Sequence, residues 1–332
     1  MESYFTNRKH YTEISKQRSS ELDLSIGVPQ GSSLGPLFFL IYINDLPRLP
    51  ISSRLILYAD DLVLFNEESN LSKLKSKLET DLILLDKWLK ANKLVINTEK
   101  TKTILFTRSK IKSNPIRFNN KVIEEVKHYK YLGLTIQSDL KFNKHICEIS
   151  KKINSINGCI FGLKNILPKF ILRRIFYSLA YPHINYHILA WGGSSSTIIN
   201  PIKISVNKVI RNIDLTDTNT ANKYKNLGIL TVDQVYKLRL GQFMQNLTHE
   251  NNILLQQPDI YWSHIYPQRN PNLFRRPNTI TEIGRQTFLF KGISYWAQLP
   301  HEITDIKGTW PFKNELKLHL QDKCTKCSHC KK

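Results

Sequence analysis

The chain has 332 residues, 41% of them hydrophobic and 10% aromatic, with 13 glycines and 14 prolines. This composition excludes a disordered tail or linker and leaves room for two or three domains with cores of their own. A formal charge of +21, from 48 lysines and arginines against 27 acids, calls for a polyanionic partner, nucleic acid ahead of an anionic membrane surface.

The longest apolar run, Leu37–Ile43, falls far short of the ~20 residues of a spanning helix. The opening Met1–His10 lacks the apolar core of a secretory signal. Five cysteines, three of them crowded after residue 323, do not make a disulfide framework, so an intracellular, reducing location is expected.

In chain order, Leu22, Leu24 and Ile26 alternate with polar residues and predict a strand leading into the loop Gly27-Val28-Pro29-Gln30-Gly31. Glycines at 27, 31 and 35 let backbone approach a nucleotide or template, and Gln30 can both donate and accept hydrogen bonds. After Gly35-Pro36, the run from Leu37 to Asn44 is apolar on every face and predicts a short buried helix. Two apolar runs, Leu55–Leu57 and Leu62–Phe65, flank Tyr58-Ala59-Asp60-Asp61 and predict a hairpin with an acidic tip. Adjacent carboxylates repel, and a divalent cation compensates them; magnesium suits a site that shares its shell with substrate phosphates.

Leu71, Leu74, Leu78, Leu82, Leu85 and Leu89 recur at steps of three and four. They predict an amphipathic helix capped by Asn70, ending near Asn92 and packed on the sheet. Leu94–Phe106 reads as a loop and strand, and His128–Ile136 as a hairpin whose Gly133 permits close backbone approach. From Phe142 onward the pattern is helical. An isoleucine stripe runs from Ile146 to Ile160, and a second helix starts at Pro168 and buries Ile171, Leu172, Ile175, Phe176 and Leu179, with Lys169, Arg173 and Arg174 outside. The polar stretch Asp214–Lys225 is a candidate boundary. A helix over Val232–Leu247, a Pro/Asn-rich loop over Gln257–Asn278 and an aromatic block over Phe288–Pro300 follow, the aromatics expected in the core. Cys324, Cys327, His329 and Cys330 are spaced too tightly to wrap a tetrahedral zinc, so no structural metal is expected there.

The Pro29-Gln30-Gly31 loop, the following Phe38–Pro47 run and the Tyr58-Ala59-Asp60-Asp61 hairpin together resemble the palm of reverse transcriptases from non-LTR retrotransposons, the jockey-like lineages in particular. The resemblance implies an α+β fold. Residues 1–138 would be a partial polymerase palm, an antiparallel sheet with packed helices. Residues 139–213 would be a helical, thumb-like region, and 214–332 a C-terminal region of unassigned role. It implies RNA-directed DNA synthesis, with an RNA template, a DNA primer and dNTP as partners, no membrane, and Mg2+ as cofactor with Mn2+ as its substitute.

The resemblance also assigns residues. Asp60 and Asp61 would be the catalytic metal ligands, Asp60 foremost. Lys100 would neutralise departing pyrophosphate, or else be an ordinary solvated charge. Pro29, Gln30, Gly31, Tyr58 and Ala59 would face substrate and template, and Leu132 with Gly133 would belong to the hairpin that grips the primer. The family's site takes a third carboxylate from an earlier strand. The acids before Gln30 are Glu2, Glu13, Glu21 and Asp23, and none stands in the expected Phe-Asp context. The expectation is a chain inactive alone, with the family's N-terminal polymerase and endonuclease segments implied elsewhere. The alternative is a non-catalytic nucleic-acid-binding remnant or an incomplete gene model.

Overall fold

A computed structural model describes residues 4, 6–24, 27–29, 31–108, 115–248 and 277–323. Helices and small sheets share the chain, an α+β architecture, which divides into two compact units. The first comprises residues 1–103 and 109–126, the second 104–108 and 127–332.

In the first unit, β1 (Lys9–His10) pairs with β4 (Leu22–Asp23), and β2 (Glu13–Ile14) pairs with β3 (Gln17–Arg18), all antiparallel. Helix α1 covers Gly35–Tyr42, with proline in its first turn. Strands β5 (Arg54–Tyr58) and β6 (Asp61–Phe65) form an antiparallel hairpin. Helix α2 (Leu71–Ala91) begins where the Asn70 side chain accepts from the backbone N–H of Ser72 and Lys73, at 2.8 and 3.2 Å. Short strands complete the unit. β7 (Lys102–Thr103) runs parallel to β10 (Glu124–Glu125), and β8 (Arg117–Phe118) pairs with β9 (Lys121–Val122).

The core of this unit is small. Leu82 of α2 packs with Phe118 and Ile123, flanked by Leu64, Ile96 and Ile116, so α2 lies on strand residues as its leucine spacing predicts. Helix α1 departs from expectation. It forms, but Gly35 is its only buried residue, and Leu37, Leu40, Ile41 and Tyr42 are exposed. Two-stranded sheets among the described residues offer no broad face to cover an all-apolar helix. Of the strand expected over Leu22–Ile26, β4 covers Leu22–Asp23, with Leu22 exposed and Leu24 outside the strand, and Ser25 and Ile26 lie outside the described residues.

The second unit opens with the hairpin of β11 (His128–Tyr131) and β12 (Leu134–Gln137). Helix α3 (Asn143–Leu163) buries Ile146, Ile149, Ile153 and Ile160, the expected stripe. Helix α4 (Lys169–Ile175) starts after Pro168 and passes into a π-helical turn, Phe176–Ala180, before α5 (Tyr181–Asn185) and α6 (Ile188–Trp191). The wider turn advances the buried face by one residue. Leu172, Phe176 and Ala180 are buried, and Leu179, expected inside, is exposed.

Helix α7 (Ser196–Ile213) packs along α3 more extensively than any other helix pair. Helices α8 (Thr220–Leu227), α9 (Val232–Thr248), α10 (Glu282–Gln286), α11 (Phe288–Trp296), α12 (His301–Thr304) and α13 (Thr309–Lys323) follow among the described residues. One hydrophobic cluster runs from Ile146 to Leu320. Trp296 and Phe312 are buried in it with ring centroids 5.7 Å apart; within the aromatic block expected in the core Trp296 is buried, whereas Phe288 at its head is exposed.

The polar stretch after α7 carries a buried carboxylate. Asp214 is fully buried, and Lys169 Nζ lies 2.9 Å from its Oδ2. Thr216 Oγ1 donates to its Oδ1 at 2.6 Å, and Lys223 Nζ donates to its backbone carbonyl at 2.5 Å. Burial alone would raise its pKa, but Lys169 and Thr216 outweigh that and hold the carboxyl at about 2. No helix among the described residues is long and apolar enough to cross a membrane.

Candidate nucleotidyl-transfer site

The acidic tip is built by cross-strand pairs. Leu55 faces Leu64, Ile56 faces Val63, Leu57 faces Leu62, and Tyr58 faces Asp61. Apolar and β-branched pairs of this kind supply the hairpin's stability. Register leaves Ala59 and Asp60 as the two turn residues, with Ala59 held at φ +50. A left-handed alanine costs about 1 kcal/mol, a strain the pairing on both sides sustains. Tyr58, Ala59, Asp60 and Asp61 are all exposed, so both carboxylates face solvent from adjacent positions.

The other end of the hairpin is clamped by a residue with no assigned role in the sequence. Asp81, buried on α2, accepts four hydrogen bonds: from Ser52 N and Oγ, each at 2.9 Å, and from Ser53 N and Oγ, at 2.8 and 2.5 Å. Asn66 Nδ2, just past β6, donates to both serine hydroxyls at 3.3 and 3.1 Å. Burial pushes the Asp81 carboxyl up, but the Ser53 and Ser52 hydrogen bonds prevail and its pKa is lowered. The signal was present in the sequence: Asp81 falls on the Leu78–Leu82–Leu85 face of an amphipathic helix, where an unpaired carboxylate could not stay.

In the glycine loop, Ser32 N donates to Pro29 O at 3.3 Å, and Ser32 Oγ accepts from Gly35 N at 3.0 Å and from Tyr4 Oη at 2.6 Å. Gly31 has φ +80, a conformation glycine adopts without strain. Gln30 lies outside the described residues. Lys100 is exposed on a turn shaped by Asn97, whose Oδ1 accepts from Glu99 N and Lys100 N at 3.1 Å each. Among the described residues no ion pair links Lys100 to Asp60 or Asp61, and no three histidines, cysteines or acids gather where a metal could sit. Cys324, Cys327, His329 and Cys330 lie outside the described residues.

The second predicted hairpin turns through Leu132 at φ +45 and Gly133 at φ +82, the double left-handed turn that suits two-residue hairpins. Tyr186 Oη donates to Leu132 O at 2.7 Å, and His187 Nε2 reaches the same oxygen at 3.1 Å. A side chain at Gly133 would meet Tyr186 Cε1 at 3.0 Å, so the close approach that this glycine permits is to the Tyr186 ring. Behind the turn, Thr135 N donates to His145 Nδ1 at 3.3 Å, and Thr135 Oγ1 to Glu148 Oε2 at 2.9 Å. Burial of His145 drives its pKa down to about 4 against the opposing pull of Glu148.

Residues 1–136 match the family described as reverse transcriptase (RNA-dependent DNA polymerase). The chain is also similar to RNA-directed DNA polymerases of mobile elements. It is 25% identical over 223 residues to the RNA-directed DNA polymerase from mobile element jockey of Drosophila melanogaster, covering 64% of this chain and 24% of that one. It is 24% identical over 273 residues to the probable RNA-directed DNA polymerase from transposon BS of the same species, covering 77% and 30%. For the probable RNA-directed DNA polymerase from transposon X-element of that species, the figures are 25% over 263 residues, 76% and 29%. The chain thus spans under a third of the length of these curated relatives. No solved structure matches it.

Proposed function

We propose that this chain works as a portion of a non-LTR retrotransposon reverse transcriptase, extending a DNA primer on an RNA template within a longer polymerase. In this reading residues 1–138 contribute part of the palm, 139–213 a thumb-like region and 214–332 a C-terminal region. The observation that carries it is the pair of exposed carboxylates, Asp60 in a two-residue turn and Asp61 closing it, within the stretch that matches reverse transcriptases. The donor set suits Mg2+, which takes one or two carboxylates and leaves the rest of its shell to water and substrate phosphates. Bound there, the ion would ease deprotonation of the primer 3' hydroxyl and stabilise the leaving pyrophosphate.

The protein's own part is positioning. Asp60 holds the metal ligand geometry at the turn, and Asp61 adds a second carboxylate from the first strand residue. The Lys100 ammonium is available to the departing pyrophosphate. Pro29, Gln30, Gly31, Tyr58 and Ala59 are assigned to nucleotide and template contact, and Leu132 with Gly133 to the primer. Two metals sharing ligands take more than two carboxylates, and none of the described acids joins the pair. That favours, as second reading, a chain that binds nucleic acid without turning over when alone.

Primer extension on an RNA template with magnesium tests both. The 332-residue chain is compared with a longer protein restoring the family's fingers and first palm strand, with and without Asp60→Asn. Extension by the longer protein only, abolished by Asp60→Asn, is the expected result. Extension by the 332-residue chain, lost with its own Asp60→Asn, would show that one of its other acids completes the site and overturn the reading.

A further inference from the structure

Residues 149–213 contain lysines and arginines and no aspartate or glutamate. Within this acid-free stretch, the end of α3, the turn at 164–168 and α4 form a corner with two faces. Inward, Leu163, Leu167 and Leu172 join the helical core. Outward, Phe161, Ile166 and Phe170 are 57%, 74% and 58% exposed. Cations stand against both rings: Lys164 Nζ is 4.0 Å from the Phe161 centroid, and Arg174 Cζ is 5.9 Å from that of Phe170.

A single exposed apolar side chain needs no explanation. Two exposed rings, each with its own cation, on a corner whose own sequence holds no acid do; the one carboxylate that meets it, Asp214, is buried against Lys169. An apolar partner helix would be met by aliphatic side chains at three-four spacing. Flat rings beside positive charge instead match a polyanion whose planar groups are free to stack. Duplex bases are already stacked on one another, so the rings distinguish an unpaired strand from a paired one.

We propose that this corner is a binding platform for single-stranded nucleic acid. Phe161 and Phe170 each stack on an unpaired base, and Lys164 and Arg174 meet the neighbouring phosphates. The inference rests on nucleic acid as partner, not on the polymerase activity proposed above, so loss of primer extension leaves it standing.

The test uses the full chain and fluorescence anisotropy with three probes: a labelled oligothymidylate, an abasic strand of equal length, and a duplex. Phe161→Ala and Phe170→Ala should each weaken oligothymidylate binding about tenfold and leave abasic and duplex binding unchanged. Phe161→Tyr and Phe170→Tyr should keep wild-type affinity. Lys164→Gln or Arg174→Gln should lower the slope of log affinity against log salt by about 0.7 on both single strands, the value per phosphate contact. Circular dichroism melts of the alanine variants control for folding. Alanine variants that bind oligothymidylate normally, or that lose abasic strand equally, would overturn the proposal.

Discussion

The Asp81 carboxylate accepts two hydrogen bonds from Ser53, from its amide at 2.8 Å and its hydroxyl at 2.5 Å, and so ties α2 to the residue just before β5. Both partners are buried. Asp81→Ala leaves the buried Ser53 donors unsatisfied, and the expected cost is about 1–3 kcal/mol, read by urea denaturation. Because hydrogen bonding lowers the Asp81 pKa in the folded state, the carboxyl stabilises above its unfolded pKa of about 4 and the contribution fades as pH falls below it. An Asp81→Ala chain with wild-type stability at pH 7 would refute this account of the hairpin's anchoring.

The turn at Leu132-Gly133 and the Tyr186 ring make a separable pair. Gly133→Ala places a Cβ 3.0 Å from Tyr186 Cε1 at φ +82, and a loss of about 1–3 kcal/mol is expected. Tyr186→Phe removes the hydrogen bond to Leu132 O and costs about 1 kcal/mol. Combining Gly133→Ala with Tyr186→Ala should recover part of the first loss, since the clash partner is gone. Strict additivity in a double-mutant cycle would show that the two do not touch.

Acid should weaken the helical unit in two steps. His145 has a folded pKa of about 4, below its unfolded value of about 6.5, so the unfolded chain binds the extra proton and stability declines as pH falls from about 6.5 to 4. Asp214, folded pKa about 2 against about 3.9 unfolded, keeps its contribution above pH 4 and loses it between about 4 and 2. Each step amounts to roughly 2–3 kcal/mol at full extent. Melting temperature against pH checks this: His145→Gln should flatten the upper step only, and Asp214→Asn the lower. A single transition unaffected by His145→Gln would be contrary.

Local chemistry made much of this legible in the sequence. Asn70 and the leucine spacing gave α2 its start, end and buried face, the isoleucine stripe did the same for α3, and two apolar runs around Tyr58–Asp61 gave the hairpin. What escaped depends on partners distant in the chain. Asp214 reads as a polar surface residue until Lys169 and Lys223 are brought to it. Leu179 matches the helical repeat, but it lies in a π-helical turn that rotates the repeat by one position. The α1 sequence announces a helix, while nothing in it says what is available to cover it. At the site, residue types marked the acidic turn, yet Asp81 was visible only as an acid on an apolar helical face, and Tyr186 as the neighbour of Gly133 left no local signal.

The exposed side chains of α1 also bear on the chain's behaviour in concentrated solution. Leu37, Leu40 and Ile41 lie on one helical face, and like-charge repulsion from a net +21 is what keeps such faces on separate molecules apart. Salt shortens the reach of that repulsion from about 30 Å at 0.01 M to about 10 Å at 0.1 M and leaves apolar attraction intact. Colloidal stability therefore falls over the same range of ionic strength in which the proposed nucleic-acid complex would dissociate. Light scattering has to accompany every salt titration of this chain, so that clustering of the free protein is not counted as dissociation.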